Sequence, residues 1–255
     1  MPTRAQFTAV TAGFIPAVVA SIAEFGEVRR GWLGWFTVYD WRHHGWEEGL
    51  QARVAFRNRL AAEEPLAAVL GDILEWGGDR YGAYVLDEER VARIALDLAH
   101  LADQATAALG VPAWVPKGMT LSPHGVGRRA IPMTTKFYCM ADPLRYVIYD
   151  QHVARALLQL TGAVPGWPQH IAFAQPAGLA SGGGQQGLHD AGQTFLNASW
   201  LAQDIASHLQ AHALPANVPA PDLTEAQLGE RWMACHVEMA LFMLGQAIKR
   251  QGPNP

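Results

Sequence analysis

The chain is short of charge, cysteine and long apolar runs, and each shortage removes a class of protein. Only 16% of its 255 residues are charged while 50% are hydrophobic, which excludes a disordered, charge-extended polymer. Two cysteines, Cys139 and Cys235, are too few for a disulfide framework or a cysteine-rich metal centre. Both lie in apolar, helix-patterned surroundings, as buried thiols do, and a reducing cytoplasm suits them best. No run reaches the roughly 18 consecutive apolar residues of a membrane span, so no membrane partner is expected. The opening stretch MPTRAQFTAVTAGFIPAVVASIA faintly resembles a secretory signal. Its weakly charged start and the proline inside its run, Pro16, favour a first core helix instead.

A net charge of −4 argues against a generally cationic nucleic-acid coat. The charge is uneven: residues 111–160 carry +4 and the remainder −8. A local basic patch of that kind suits phosphate contact, and a solvated face has the same composition.

Helical spacing dominates what is present. Asp87 has the character of an N-cap, with Val91, Ile94, Leu98, Leu101 and Ala105 recurring behind it and Gly110 closing the segment. Ala52–Leu60 and Pro65–Trp76 are two further helices, the second stopped by Gly77 and Gly78. Thr224–Arg250 places Leu228, Trp232, Cys235, Met239, Phe242 and Met243 on one face. Trp35–Tyr39 is the best strand candidate. Pro112–Gly127, the glycine-rich Pro176–Gly192 and Pro215–Pro221 break the pattern, the second predicted as a flexible surface loop. The expected architecture is a single all-α domain over 1–255, as one body or as two lobes about a cleft.

The densest chemistry lies between Gly125 and Leu160, GVGRRAIPMTTKFYCMADPLRYVIYDQHVARALLQL. Gly125 and Gly127 can take φ > 0 around Val126 and turn backbone N–H groups toward a phosphate. Such a contact positions nucleic acid without reading its bases, and Arg128 and Arg129 beside it would add backbone contacts. A plain structural turn with two exposed arginines accounts for the same residues. Pro132 suits the first turn of a helix over Met133–Ala141 that carries Lys136. After Asp142-Pro143, Tyr146–Tyr149 is predicted as an extended approach to Asp150, which has the setting of an N-cap for the helix that follows. A carboxylate held by backbone N–H groups is expected to stay ionised.

The segments GVGRR, TTKFYCMADP and VIYDQHVARAL together resemble the helix-hairpin-helix DNA glycosylase superfamily, nearest its bacterial 8-oxoguanine-glycosylase-like branch. ILEWGG at residues 73–78 and VEMALFMLG at residues 237–245 are similar to that branch, some members of which occur in defence gene clusters. The resemblance covers about 36 residues strongly and about 15 more in these flanks. It implies an all-helical fold, a damaged purine flipped out of DNA, and cleavage of its N-glycosidic bond without metal or cofactor. Asp150 would stabilise the developing oxocarbenium charge, Lys136 would attack C1′ to give a Schiff base, and Gly125, Val126, Gly127, Arg128 and Arg129 would hold phosphate. In the better-known members the lysine follows the second glycine by two positions, where this chain has Arg129. If Lys136 turns away from Asp150, a monofunctional enzyme using water remains. No cysteine cluster is available for the family's iron–sulfur subgroup. A non-catalytic base-, nucleotide- or partner-binding module of the same fold is the alternative. The glycosylase reading demands that Lys136 and Asp150 converge and that their crevice admit a nucleobase.

Other residues carry less. The aromatics Trp32, Trp35, Phe36, Tyr39, Trp41 and Trp46 are more simply core than a base-stacking platform. His43 and His44 point apart and sit in no metal-ligand spacing with Glu47 and Glu48, so no metal site is expected. His124 and His152 flank the motif as capping or solvated residues, and His189-Asp190 belongs to the predicted loop.

Overall fold

A computed structural model describes residues 3–24, 31–41, 44–62, 64–77, 86–106, 131–176, 184–212 and 232–252. These residues form an all-helical assembly. α1 (Arg4–Thr11) opens on a reciprocal cap: the Gln6 N–H donates to Thr3 Oγ1 at 3.2 Å, and the Thr3 N–H donates to Gln6 Oε1 at 2.8 Å. Two helix N–H groups that would otherwise be orphaned are satisfied this way. A 3-10 turn leads into α2 (Ile15–Ser21), which holds Pro16 in its first turn. Phe7, Ile15, Val18 and Ile22 of this region are buried, as expected of a core helix.

α3 spans Trp32–Thr37 and takes in the first part of Trp35–Tyr39, where the sequence suggests a strand. Trp32, Trp35, Phe36 and Tyr39 are all buried, and their spacing of three, one and three is helical. High aromatic content favours strands locally, but burial of one helical face decides the outcome. Extended pairing among the described residues is confined to an antiparallel bridge of Asp40–Trp41 with His44–Gly45. α4 (Trp46–Ala61) and α5 (Leu66–Trp76) follow, the latter ending at Gly77. α6 (Glu88–Thr106) begins after Asp87, whose Oδ1 accepts the Arg90 N–H at 2.8 Å. α7 (Ile131–Ala141) and α8 (Gln151–Gly162) flank the buried extended segment Tyr146–Tyr149.

α9 (Gly184–Ala211) corrects a second expectation. Residues 184–192, predicted as flexible loop from their glycines, form its first turns, because the helix continues through Phe195, Leu196, Leu201, Ile205 and Leu209 into the core and tertiary burial outweighs glycine's weak propensity. α10 (Ala234–Gln251) also differs from the one-faced helix predicted over Thr224–Arg250. Residues 234–242 are buried all round, as in a helix enclosed by others, and residues 213–231 lie outside the described residues. Gly125, Val126, Gly127, Arg128 and Arg129 lie outside them too, as do His43, His124 and all of Pro112–Gly127. No described helix is long and apolar enough to cross a membrane.

α10 packs most extensively on α8, then on α3 and α9. The α8 crossing depends on one glycine. A Cβ built on Gly245 would stand 2.0 Å from the His152 carbonyl oxygen and 2.6 Å from its carbon, so the two backbones touch where only hydrogen fits. Arg155 pins the crossing by donating to the Gly245 carbonyl at 3.1 Å. Gly71, inside α5, has open space where its Cβ would be. Gly245→Ala should therefore cost about 3 kcal/mol in urea unfolding, while Gly71→Ala should gain about 0.5–1 kcal/mol through helix propensity and reduced unfolded-state entropy. Equal effects at the two positions would refute the proposed contact.

Candidate functional site

Three threads of chain meet at the site. The first is α7, which presents Lys136. The second is the extended segment, tied to α7 by Thr135: its hydroxyl donates to the Ile131 carbonyl at 2.9 Å and accepts the Tyr149 N–H at 3.0 Å. α9 holds the same segment, with Ser199 Oγ accepting the Val147 N–H at 3.4 Å and Gln203 donating to the Arg145 carbonyl at 2.8 Å. A buried strand without a sheet needs such side-chain partners for its backbone. The third thread is α10 itself, whose first N–H groups, from Ala234 and Cys235, donate to Leu144 and Pro143 carbonyls at 3.3 and 3.1 Å.

Asp150 stands where the extended segment becomes α8. Its Oδ1 accepts the N–H groups of His152 at 2.7 Å and Val153 at 2.9 Å, which is the N-cap predicted from sequence. Both capping bonds use Oδ1, so Oδ2 is the oxygen not committed to the helix. Burial pushes the carboxyl up from its ordinary value, against the capping N–H of Val153 and the pull of His152 and Lys136. The capping argument alone expects the opposite direction; desolvation is the larger effect.

Lys136 is buried, at 7% exposure, with Nζ 3.6 Å from Met133 Sδ. Its stem runs over the end of α5, where a Cβ on Gly77 would lie 2.8 Å from Lys136 Cδ. The glycine that stops α5 thus leaves the lysine its channel. Lys136 and Asp150 line one crevice together with Tyr39, Trp76, Ile148, Glu238 and Phe242. The crevice has about 250 Å³ of empty space counted out to its open mouth. Its interior has room for about one water, so a purine does not enter with the walls as they stand.

Sequence reasoning missed Glu238 and the residue behind it, Arg53. Arg53 Nη2 donates to Glu238 Oε2 at 2.5 Å, and Nη1 donates to the Gly49 carbonyl at 2.9 Å. The two side chains are 0% and 2% exposed. The guanidinium also lies over the rings of Trp76 and Tyr39, at 5.6 and 5.9 Å from their centroids, and its Nε has no hydrogen-bond partner among the described residues. Burial pushes the Glu238 carboxyl up to about 7, against Arg53. A glutamate 185 positions from its arginine gives no local signal; Val237–Gly245 was singled out only by family resemblance.

His152 is half-buried, its ring 5.0 Å from that of Phe242 and its Nδ1 3.3 Å from Arg155 Nη1. Burial lowers its pKa, against Asp150. Of the predicted aromatic cluster, Tyr39 walls the crevice, while Trp32, Trp35 and Phe36 are core. Both cysteines are buried and unbridged, and burial pushes the Cys139 thiol up to about 12. Among the described residues no group of three or more His, Cys, Asp or Glu could hold a metal.

A buried amine, two carboxylates of raised pKa and three aromatic rings can condense with a carbonyl carbon or stabilise a cationic one. Compared with protein-family models, curated proteins and solved structures, the chain matches none of them.

The raised Glu238 pKa makes stability depend on pH. Below about 4.5, the ordinary value, the carboxyl is protonated folded and unfolded. As pH rises from there to about 7 the unfolded chain releases this proton while the folded one keeps it, so stability falls and then levels. Urea unfolding of the wild type should lose about 3 kcal/mol relative to Glu238→Gln across that window. Parallel pH profiles for the two proteins would show that burial does not govern this carboxyl.

Proposed function

We propose that the chain is a DNA glycosylase-like enzyme that cleaves the N-glycosidic bond of a flipped, damaged purine, 8-oxoguanine first among them. The observation that carries this reading is the convergence of Lys136 and Asp150 on one aromatic-walled crevice. Segments singled out by resemblance to that superfamily supply most of its lining: TTKFYCMADP gives Lys136, VIYDQHVARAL gives Asp150, ILEWGG gives Trp76, and VEMALFMLG gives Glu238 and Phe242.

Asp150 would stabilise positive charge at C1′ through its uncommitted oxygen as the base departs. The Lys136 amine would add to C1′, giving an imine after ring opening, in the bifunctional version. Glu238 offers the crevice an acceptor for a base N–H. Admission of a base needs a wall to move. Tyr39, Ile148 and Phe242 are buried whereas Trp76 is partly exposed at the end of α5, so Trp76 is the wall assigned to that movement. Gly125, Val126 and Gly127, with the basic Arg128 and Arg129, would hold the phosphate backbone.

A second reading, a non-catalytic module that binds a base, nucleotide or partner, is favoured by the narrowness of the crevice and the net negative charge. Borohydride trapping on 8-oxoguanine duplex separates the two. A covalent adduct is expected with the wild type and not with Lys136→Gln. Base release should fall on the order of 100- to 1,000-fold in Asp150→Asn. Binding without adduct or base release, across a panel of damaged duplexes, would assign the crevice to the second reading.

A further inference from the structure

A purine that leaves C1′ takes the electron pair of the N-glycosidic bond with it, and it leaves faster when a proton arrives at the same moment. Stabilisation of the sugar cation by Asp150 does not supply that proton. Two carboxyl groups line the crevice, Asp150 and Glu238, and their surroundings differ. Asp150 is partly exposed, and its Oδ1 accepts two main-chain N–H groups, which favour the carboxylate. Glu238 is 2% exposed. Its Oε2 accepts from Arg53 Nη2, but that guanidinium also serves the Gly49 carbonyl and lies over Tyr39 and Trp76. Oε1 is left as the oxygen not committed to Arg53. Carboxyl groups placed so unequally divide into an anion and an acid.

We propose that Glu238 is the general acid of the crevice, protonating the base as it leaves while Asp150 acts as the fixed anion. This rests on the glycosylase reading and adds a catalytic residue to it. Charge balance points the same way. Arg53 is a cation at every working pH, and a nucleophilic Lys136 is a neutral amine. One positive charge in a poorly solvated gap is balanced by one carboxylate, Asp150, so Glu238 keeps its proton. The other titratable groups around this pair are Tyr39 after α3, Cys139 on α7, and Cys235 and His236 on α10. Burial raises the first three and lowers His236, so all four are uncharged at neutral pH. Burial also pushes Glu238 up to about 7, against Arg53 and Lys136, so the acid is loaded below that pH and spent above it. As the C1′–N bond breaks, its electron pair passes to the base. The Glu238 O–H bond breaks, its proton goes to the base, and the base leaves neutral. Glu238 becomes a carboxylate paired with Arg53. The Lys136 amine, or water, adds to C1′ and sheds a proton, which returns to Glu238. A protonated carboxyl is both donor and acceptor, so the same group also receives a base N–H.

The test is single-turnover release of 8-oxoguanine from a duplex by the full chain, as wild type, Glu238→Gln and Glu238→Asp, from about pH 5 to about pH 9. Circular dichroism and duplex binding confirm that each variant folds and binds. Glu238→Gln should release base on the order of 100-fold more slowly than wild type at about pH 6. That deficit should shrink about tenfold per pH unit above about 7, where the wild-type acid is already ionised. The ratio of the two rates is read because Lys136 titrates in both proteins. Glu238→Asp keeps a carboxyl and should recover at least about tenfold of the loss. A deficit of the same size at every pH is what a purely structural role gives, and it overturns the proposal. Wild-type rates in Glu238→Gln, or Glu238→Asp no faster than Glu238→Gln, overturn it too. In each of these cases the wild type still releases base and the glycosylase reading stands, whereas no release by the wild type overturns both. A further comparison needs no variant. N7-methylguanine already carries a positive charge and leaves neutral without a proton, so its release by the wild type should lack the alkaline fall. An equal alkaline fall for the two bases overturns the assignment of Glu238.

Discussion

The Arg53–Glu238 ion pair is the constraint around which the centre of this molecule is arranged. An arginine with no exposed surface cannot shed its proton, so the fold must supply it with an anion and with acceptors. Glu238 and the Gly49 carbonyl do this, and in doing so they lock α4 to α10. Tyr39 and Trp76 stack on the guanidinium from α3's end and from α5, so four elements are placed by one side chain. A Cβ at Gly49 would come within 2.6 Å of Met239 and 3.0 Å of the Tyr39 ring, which shows how closely α4 is drawn in. The pair's cost also explains its effect on the site. Burial raises Glu238 toward neutrality even with a guanidinium in contact, so the crevice holds a carboxyl able to gain or lose a proton near pH 7.

The second organising element is smaller and more local. One hydroxyl, that of Thr135, both caps a carbonyl within α7 and receives the Tyr149 N–H. This bond sets the register between the helix bearing Lys136 and the segment ending in Asp150. Neighbouring Lys136 is thereby turned toward the crevice, and Asp150 arrives beside it with Oδ1 already engaged in capping. Gly245 completes the arrangement from the other side by allowing α10 to reach the first turn of α8. Chemistry and fold use the same residues here: the cap that starts α8 is also the carboxylate of the crevice.

What was legible in the sequence follows from what is local. The caps at Asp87 and Asp150 could be read because the side chain and the N–H groups it accepts are three residues apart or fewer. The α5 stop at Gly77 and the break at Asp142-Pro143 are equally local. Trp35–Tyr39 reads as a strand when aromatic content is weighted above spacing, and its first residues instead belong to the helix Trp32–Thr37. The first turns of α9 were mistaken for loop because glycine count says nothing about the apolar face further along the helix. Arg53 was not legible at all: its partners lie in α10 and across the α4–α5 region, and charge pairing over such sequence distances has no period to detect. Lys136 and Asp150 stood out as isolated charges in apolar surroundings, and only the fold could bring them to one crevice.

The narrow interior bears directly on what the crevice can do. Room for about one water means that Lys136, Asp150 and Glu238 face one another across a poorly solvated gap, where their charges act more strongly than in water. That same dryness raises both carboxyls. A planar ligand that displaced Trp76 would take the place of the remaining water and lie between aromatic walls, and the energy of that stacking would have to exceed the cost of parting Trp76 from the Arg53 guanidinium. Such a cost selects for ligands that combine a flat apolar face with an edge of N–H donors, since only these recover both the stacking and the carboxylate hydrogen bonds. Small polar molecules recover neither. On the proposed reading, the closed crevice is therefore a filter, and its narrowness is the reason a base already loosened from its stack would enter more readily than one still paired.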